Sequence, residues 1–157
     1  MEHIKAGLMN FKGTDRRFEY KGEVNGITIL DDYAHHPTEI EATLTAAKNY
    51  PHRKIWCAFQ PHTYTRTKAL LKDFGKALSL ADHVVLADIY AAREADTGEI
   101  HSRDLQAEIQ AHGAAADYFS TFKEIENFLL ENCSPGDLVI TMGAGDIVTV
   151  GEELLKK

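Results

Sequence analysis

Short apolar segments alternate along the chain with longer segments in which apolar residues recur every three or four positions. Continuous or alternating apolar runs are typical of strands, whereas the longer period indicates helices. The strand-like segments are residues 27–31, 54–59, 83–88, 116–119 and 138–142. The helix-like segments are residues 37–49, 66–78, 102–112, 122–132 and 147–156, and Ser102 is predicted to cap the helix over 102–112. Repeated strand–helix units form a twisted, mostly parallel sheet with helices on both faces, so the pattern predicts an α/β fold in three αβα layers.

The N-terminal part of the pattern predicts a hairpin in front of these units. Residues 17–24 alternate loosely, and Asn25-Gly26 is a dipeptide that tight hairpin turns favour. Pairing of residues 17–23 with residues 27–31 adds one antiparallel strand, which gives a sheet of about six strands. The segments 54–59 and 83–88 are apolar on both faces, which indicates central strands of a parallel sheet.

Residues 1–15 have little independent character. Ile4, Leu8 and Phe11 are spaced as one face of a short helix that Gly13 would end. A chain that begins within a helix suggests a piece of a longer protein. We therefore expect residues 1–15 to be the remnant of an interdomain linker or helix, and residues 16–157 to form one domain. The total of 157 residues suits one well-buried domain.

Composition narrows the possible partners and the compartment. A net charge of −7 argues against nucleic acid as a partner, because phosphate backbones require clustered Lys and Arg, although a local basic spot can still bind a nucleotide. Cys57 lies in an apolar run and is expected in the core; with Cys133 it forms no paired motif, so neither a disulfide framework nor a zinc ribbon is indicated. No run approaches the ~18 apolar residues of a membrane helix. We expect a cytoplasmic protein without a membrane segment.

Polar side chains gather in the loops that follow the predicted strands. Because the strands are predicted to be parallel, these loops should meet at one edge of the sheet, where α/β folds bind ligands. The first loop carries DDYAHHPTE at residues 31–39, with Pro37 opening the next helix. The second carries QPHTYTR at residues 60–66. The long polar connection 90–101 indicates function or mobility by its length.

Two histidines in the first loop leave several interpretations open. His35 and His36, before Pro37, are suited to be solvated capping groups at the helix start. His36 and Glu39 also have metal-ligand spacing, but the sequence places no third ligand, so no metal is assigned.

Charged residues in the same loops suggest partners of opposite charge or hydrogen-bond donors. Arg66 is a cation in the first turn of a predicted helix, where it opposes the helix dipole, and this misfit favours a role with an anion. Asp31 and Asp32 end a predicted strand side by side. Since two adjacent carboxylates repel each other, we expect at least one of them to have a partner.

The loop GAGD at residues 143–146 resembles only the first half of a dinucleotide fingerprint, because Val148 occupies the third glycine position. A tight strand-to-helix turn explains both glycines, and a backbone anion nest is the alternative. The chain has no GxxxxGK[ST] loop, since Gly75-Lys76 is followed by Ala77. It therefore cannot cradle a triphosphate in the P-loop manner by itself.

Three motifs together are specific: DDYAHHPTE at residues 31–39, FQPHTYTRT at 59–67 and MGAGDI at 142–147. With RRF at residues 16–18, they resemble the C-terminal domain of the Mur ligases of peptidoglycan synthesis, from Asn10 onward. The resemblance implies a Rossmann-like domain of a three-domain enzyme. The other two domains bind the UDP-sugar and, through a P-loop, ATP with Mg.

Within that family the motifs look like those of the enzymes that add L-alanine to UDP-N-acetylmuramate in cell wall biogenesis. The resemblance implies an ATP-dependent carboxylate–amine ligase in which ATP phosphorylates the substrate carboxylate and the amine of L-alanine attacks the acyl phosphate. This domain would bind the amino acid and close over the central domain, and it would supply no catalytic nucleophile or base. The fragment alone is expected to be inactive, because the phosphate loop is missing.

The resemblance also implies roles for particular residues. Arg17 resembles the arginine that reaches the ATP γ-phosphate, although strand alternation leaves open whether Arg16 or Arg17 faces the nucleotide. Asp32 resembles the aspartate that accepts hydrogen bonds from the ATP ribose. Four residues resemble those that line the amino-acid end: Tyr33, His35, His62 and Arg66. Thr63 stands where many relatives have a second arginine, so Arg66 would carry more of the carboxylate binding.

Two other functions are compatible with the sequence. The nearest is a related ligase that recycles murein peptides by joining a tripeptide to UDP-N-acetylmuramate; its DD-x-A-H-H-P-T motif is similar, but the loop at residues 59–67 favours the alanine-adding enzyme. The other is a stand-alone nucleotide-binding or anion-binding module without catalysis. A P-loop upstream in the native gene would separate the ligases from such a module.

Overall fold

A computed structural model of the protein describes residues 18–157. The predicted helix around Leu8, and both Arg16 and Arg17, lie outside the described residues. Within them the chain forms six strands, named here in chain order. They are β1 (Glu19–Val24), β2 (Ile27–Asp32), β3 (Ile55–Phe59), β4 (His83–Leu86), β5 (Ala115–Tyr118) and β6 (Leu138–Met142).

The strands form one mixed sheet in the order β1-β2-β6-β3-β4-β5. Strand β1 runs antiparallel to β2, and every other neighbouring pair is parallel. Asn25 and Gly26 both have positive φ, 51° and 80°, as a two-residue hairpin turn with the twist of the strands requires. The predicted hairpin and the predicted six-stranded, mostly parallel sheet are therefore confirmed.

Helices cover both faces of the sheet. They are α1 (Pro37–Ala47), α2 (Tyr64–Ala69), α3 (Leu71–Leu78), α4 (Ser102–Ala111), α5 (Phe122–Asn132) and α6 (Val148–Leu154). Apolar residues of α1, α3 and α4 form a core on one face, and those of α5 and α6 form a second core on the other. Cys57 is fully buried in the first core, as predicted. No helix of the described residues is long and apolar enough to cross a bilayer.

The segment predicted as one helix over residues 66–78 is two helices. The break is at Leu70, whose φ of −114° and ψ of 22° are not helical. Thr63 is the N-cap of α2 and fixes where that helix begins, whereas α3 buries Phe74 and Leu78 in the core. With two helices, the first starts at the Thr63 cap and the second buries Phe74 and Leu78, so the prediction of a continuous helix was wrong.

The predicted cap of α4 is displaced by one residue. His101, not Ser102, is the N-cap: its Nδ1 accepts a hydrogen bond from the Arg103 amide at 3.0 Å, and Asp104 accepts one from the His101 amide at 2.9 Å. Ser102 is buried instead, and its hydroxyl donates to the Ala87 carbonyl at 2.6 Å. The hydroxyl therefore anchors the helix beneath the end of β4.

Candidate ligand-binding site

A row of four rings crosses the carboxyl edge of the sheet. Tyr33 meets His35 edge-on with ring centroids 5.4 Å apart, and His35 lies 5.7 Å from His62. His62 stacks on Tyr90 at 5.4 Å, with the ring planes only 14° apart. Tyr33 and His35 follow β2, His62 follows β3 and Tyr90 follows β4. The structure thus brings together the loops that the parallel sheet was predicted to gather, and it adds Tyr90.

The loop after β6 is packed into this edge through Gln60. The Gln60 amide nitrogen donates to Asp146 at 3.0 Å, and its oxygen accepts from the Ile147 amide at 3.2 Å. A Cβ on Gly145 would overlap the Gln60 side-chain oxygen and lie 2.9 Å from the Tyr90 ring. On Gly143, with φ of +145°, a Cβ would lie 2.8 Å from the Gln60 carbonyl oxygen. Both glycines are therefore explained by a tight turn that packs closely on its neighbours.

Asp31 and Asp32 are both buried, and each has a partner. The Thr141 hydroxyl donates to Asp31 at 2.7 Å. Asp32 accepts from the backbone amides of Phe18 and Ala34, both at 2.8 Å. The expectation of at least one partner is confirmed. Asp32 consequently ties the start of β1 to the turn that follows β2.

His36 and Glu39 form a capping box at the start of α1. His36 Nδ1 accepts from the Thr38 amide at 3.2 Å, and Glu39 accepts from the amides of both His36 and His35 at 3.2 Å. The capping interpretation of His36 is confirmed. Within residues 18–157, no three His, Cys, Asp or Glu side chains are grouped so as to hold a metal ion. His35 Nδ1 lies 3.0 Å from the Tyr33 carbonyl oxygen, which fixes the ring in the row.

His62 and Arg66 each have a buried side-chain nitrogen. His62 Nδ1 and Arg66 Nη1 have no hydrogen-bond partner among the residues that the structure describes. Buried polar groups in folded proteins nearly always have a partner, so an unpaired one requires an explanation. A guanidinium nitrogen and an imidazole nitrogen only four residues apart suit a ligand with a carboxylate and a further polar group.

Burial and nearby positive charge keep His62 neutral. Burial lowers the pKa of His62 below its usual 6.5, and His35 and the Arg66 guanidinium lower it further, whereas the Glu94 carboxylate opposes them. The imidazole is therefore uncharged at neutral pH. The site combines one permanent cation with a neutral hydrogen-bonding ring.

Segment 90–94 holds the turn that carries these two residues. The Thr63 amide donates to the Tyr90 carbonyl at 2.8 Å. The amides of Tyr64 and Thr65 donate to Glu94 at 2.7 and 3.0 Å. The sequence did not identify Tyr90 or Glu94, and its only signal was the unusual length of the polar loop 90–101.

Comparison with known proteins places the chain in a family. A family model described as "Mur ligase, glutamate ligase domain" matches residues 16–145. The chain is 64% identical over its whole length to the UDP-N-acetylmuramate–L-alanine ligase of Lachnoclostridium phytofermentans and 63% identical over 99% of its length to that of Lachnospira eligens. In both cases it spans 34% of the relative, so it corresponds to about a third of these proteins.

Solved structures agree with the sequence relatives. The chain superposes on the UDP-N-acetylmuramate–alanine ligase of Thermotoga maritima with a TM-score of 0.70 and 27% identity, covering 96% of this chain and 35% of that one. It superposes on a murein peptide ligase of Psychrobacter arcticus with a TM-score of 0.73 and 26% identity, covering 96% of this chain and 31% of that one. The chain belongs to the Mur ligase family and is a Mur ligase C-terminal domain.

Proposed function

We propose that the chain is the amino-acid-binding and ATP-site-closing domain of an ATP-dependent ligase that joins L-alanine to UDP-N-acetylmuramate in cytoplasmic peptidoglycan synthesis. The observation that carries this proposal is the pair of buried nitrogens on His62 and Arg66 that have no hydrogen-bond partner within residues 18–157. The names of the relatives, at 64% and 63% identity, support L-alanine as the amino acid that the pair would bind. Residues 1–15 would link this domain to the preceding one.

Arg66 would bind the carboxylate of L-alanine. A guanidinium offers a planar fork of donors that matches a carboxylate, and the resulting hydrogen bonds are charge-assisted. His62, neutral at physiological pH, adds no charge that would repel the ammonium group of the same amino acid. Tyr33 and His35 continue the row of rings beside them and would complete the wall of the amino-acid site.

The nucleotide end of the site would be formed by Asp32 together with Arg17, which lies outside the described residues. The Asp32 carboxylate accepts the backbone amides of Phe18 and Ala34, which hold it at the end of β2, on the edge of the sheet that carries the site. From there it would accept a ribose hydroxyl, as the resemblance of its motif to the family implies. ATP and Mg would be held mainly by the central domain of the longer enzyme.

In catalysis, the chain would hold the amino acid in position and exclude water from the acyl phosphate. ATP would convert the UDP-N-acetylmuramate carboxylate to an acyl phosphate, the amine would attack that carbonyl, and phosphate would leave. Holding the amine beside the acyl phosphate converts a bimolecular step into an effectively intramolecular one. Closure over the central domain would protect the acyl phosphate from hydrolysis. Neither task requires a nucleophile from this chain.

Steady-state kinetics of the full-length ligase test the proposal. Arg66→Ala should raise the KM for L-alanine by about tenfold or more, the value of a lost charge-assisted hydrogen bond, with little change in the KM for ATP. Lys68→Ala is the matched control, because Lys68 lies on the same helix but pairs with Glu99 at the surface. Equal increases in both KM values for Arg66→Ala would refute the role given to Arg66.

The murein peptide ligase of Psychrobacter arcticus, with a TM-score of 0.73, supports a second candidate, the recycling ligase that accepts a tripeptide. Competition between L-alanine and the tripeptide in the full-length enzyme separates the two, and we expect L-alanine to be preferred. The 157-residue chain alone should neither hydrolyse ATP nor form the amide bond. Turnover by the purified chain would contradict the assignment of the phosphate site to another domain.

A further inference from the structure

The turn that presents His62 and Arg66 rests on a segment almost thirty residues further along the chain. Three consecutive backbone amides of this turn, those of residues 63–65, donate to residues 90–94. Two of the three end on a single side-chain oxygen, Oε1 of Glu94. We propose that Glu94 is a positioning residue, whose carboxylate holds the first turn of α2 and thereby aims His62 and Arg66 at their ligand.

The turn needs such support because its backbone is strained. Thr63 has φ of +66° and ψ of 145°, a conformation that residues with a Cβ rarely adopt. Strain of this kind persists only where the surroundings over-determine it, and it is concentrated at functional sites. Thr63 lies between His62 and Arg66, so relaxation of its backbone would redirect the side chains on both sides.

Helix α2 cannot supply the support itself. It has six residues, and an isolated helix of that length is unstable in water. Its own cap is weak, because the Thr63 hydroxyl accepts from the Arg66 amide at 3.3 Å, whereas Glu94 accepts from Tyr64 at 2.7 Å. A carboxylate at a helix N-terminus also interacts favourably with the helix dipole. The cap from Glu94 is thus the stronger of the two.

Glu94 has a second, electrostatic effect on the same turn. Hydrogen bonds from Thr65, with a smaller contribution from Tyr64, lower the pKa of Glu94, so it is a carboxylate at neutral pH. This charge raises the pKa of His62, against burial, His35 and Arg66, all of which lower it. Removing the charge while keeping the hydrogen bonds should therefore change the titration of His62 and leave the turn in place.

Two substitutions in the 157-residue chain separate these effects. Glu94→Gln keeps an oxygen that can accept both amides, and Glu94→Ala removes it. We expect amide hydrogen exchange at Tyr64 and Thr65 to accelerate by about tenfold or more in Glu94→Ala, since each bond to a charged acceptor is worth that much, and to remain close to wild type in Glu94→Gln. The pKa of His62, followed by NMR, should fall in Glu94→Gln.

Glu99→Ala is the matched control, because Glu99 belongs to the same loop and pairs with Lys68 on α2 but touches none of the three amides. It should leave both exchange and the His62 titration unchanged. Unchanged exchange at Tyr64 and Thr65 in Glu94→Ala would overturn the proposal, whereas an unchanged pKa of His62 in Glu94→Gln would refute only the electrostatic effect of Glu94.

The consequence for catalysis rests on the proposed function and is measured separately. In the full-length ligase, Glu94→Ala should raise the KM for L-alanine several-fold with the KM for ATP nearly constant, and Glu94→Gln should restore most of the affinity. If exchange accelerates as expected while the KM for L-alanine is unchanged, Glu94 still positions the turn, and the assignment of Arg66 to the amino acid is wrong.

Discussion

The imidazole of His62 stacks on the ring of Tyr90: the ring centroids are 5.4 Å apart, and the angle between the two ring planes is 14°. The same two residues are joined through the backbone as an isolated parallel bridge beyond the ends of β3 and β4. The Tyr90 amide donates to the Pro61 carbonyl, and the Tyr90 carbonyl accepts from Thr63, both at 2.8 Å. Backbone pairing between neighbouring strands thus continues beyond β3 and β4 into the two site loops.

The stack predicts how His62 should titrate when its neighbour is changed. Because burial is the largest cause of the lowered pKa of His62, Tyr90→Ala should uncover the imidazole and move its pKa upward, toward 6.5. Tyr90→Phe keeps the ring and should leave the pKa of His62 close to the wild-type value. NMR titration of the His62 ring protons measures both. Indistinguishable titrations of the Ala and Phe variants would show that the stack does not bury His62.

Gly145→Ala tests the close approach of the loop after β6. The added methyl would overlap the Gln60 side-chain oxygen and press on the Tyr90 ring. Overpacking of this kind typically costs about 1–3 kcal/mol, and we expect a loss of that size in the free energy of unfolding measured with urea.

The Gln60→Ala background provides the control for Gly145→Ala. Removing the Gln60 side chain eliminates one of the two collisions, so Gly145→Ala should cost less there than in the wild type. The difference between the two costs is a coupling energy, which should be nonzero for residues in contact. Additive effects would mean that the turn moves away from Gln60 without strain.

Local signals in the sequence were sufficient for most of the fold. The Asn25-Gly26 turn and the apolar strands are encoded by neighbouring residues, and each has its predicted place. The errors arose where tertiary contacts override local pattern. Leu70 lies in an uninterrupted helical period, yet its backbone is not helical, and it separates α2, which Thr63 caps, from α3, which packs on the core. Serine is a residue type that helix N-caps favour, but the Ser102 hydroxyl donates its hydrogen bond to the Ala87 carbonyl.

The site was only partly predictable for the same reason. His35 and His62 could be assigned to one edge because the carboxyl ends of parallel strands meet there. Tyr90 and Glu94 belong to a loop without periodicity, and their partners lie 27 to 30 positions earlier in the chain. Nothing in the spacing of residues 90–94 indicates which amides they accept from. Such contacts become visible only once the strand order is known.

Asp137 should be among the residues most important for stability. It is buried immediately before β6, where its carboxylate accepts hydrogen bonds from Arg53 at 2.7 and 3.1 Å, from the Trp56 indole at 3.0 Å and from the Ser134 amide at 2.9 Å. Asp137→Ala leaves the buried indole and the amide without this acceptor, which should cost about 2–4 kcal/mol in the free energy of unfolding. Urea denaturation measures the loss. Asp96→Asn, an exposed change, is the control and should have little effect.

The same carboxylate should make stability depend on pH in acid. Burial alone would raise the pKa of Asp137, but the hydrogen bonds from Arg53, the Ser134 amide and Trp56 outweigh it and lower the pKa below 3.8. A group whose pKa is lower in the folded state stabilises the fold above its unfolded pKa, and this contribution is lost as the pH falls through the folded value. The wild type should therefore lose stability as the pH drops below about 4, and Asp137→Asn, which does not titrate, should lose less over the same range. Parallel stability curves for the two proteins between neutral pH and pH values below that point would show that the buried carboxylate does not contribute to acid unfolding.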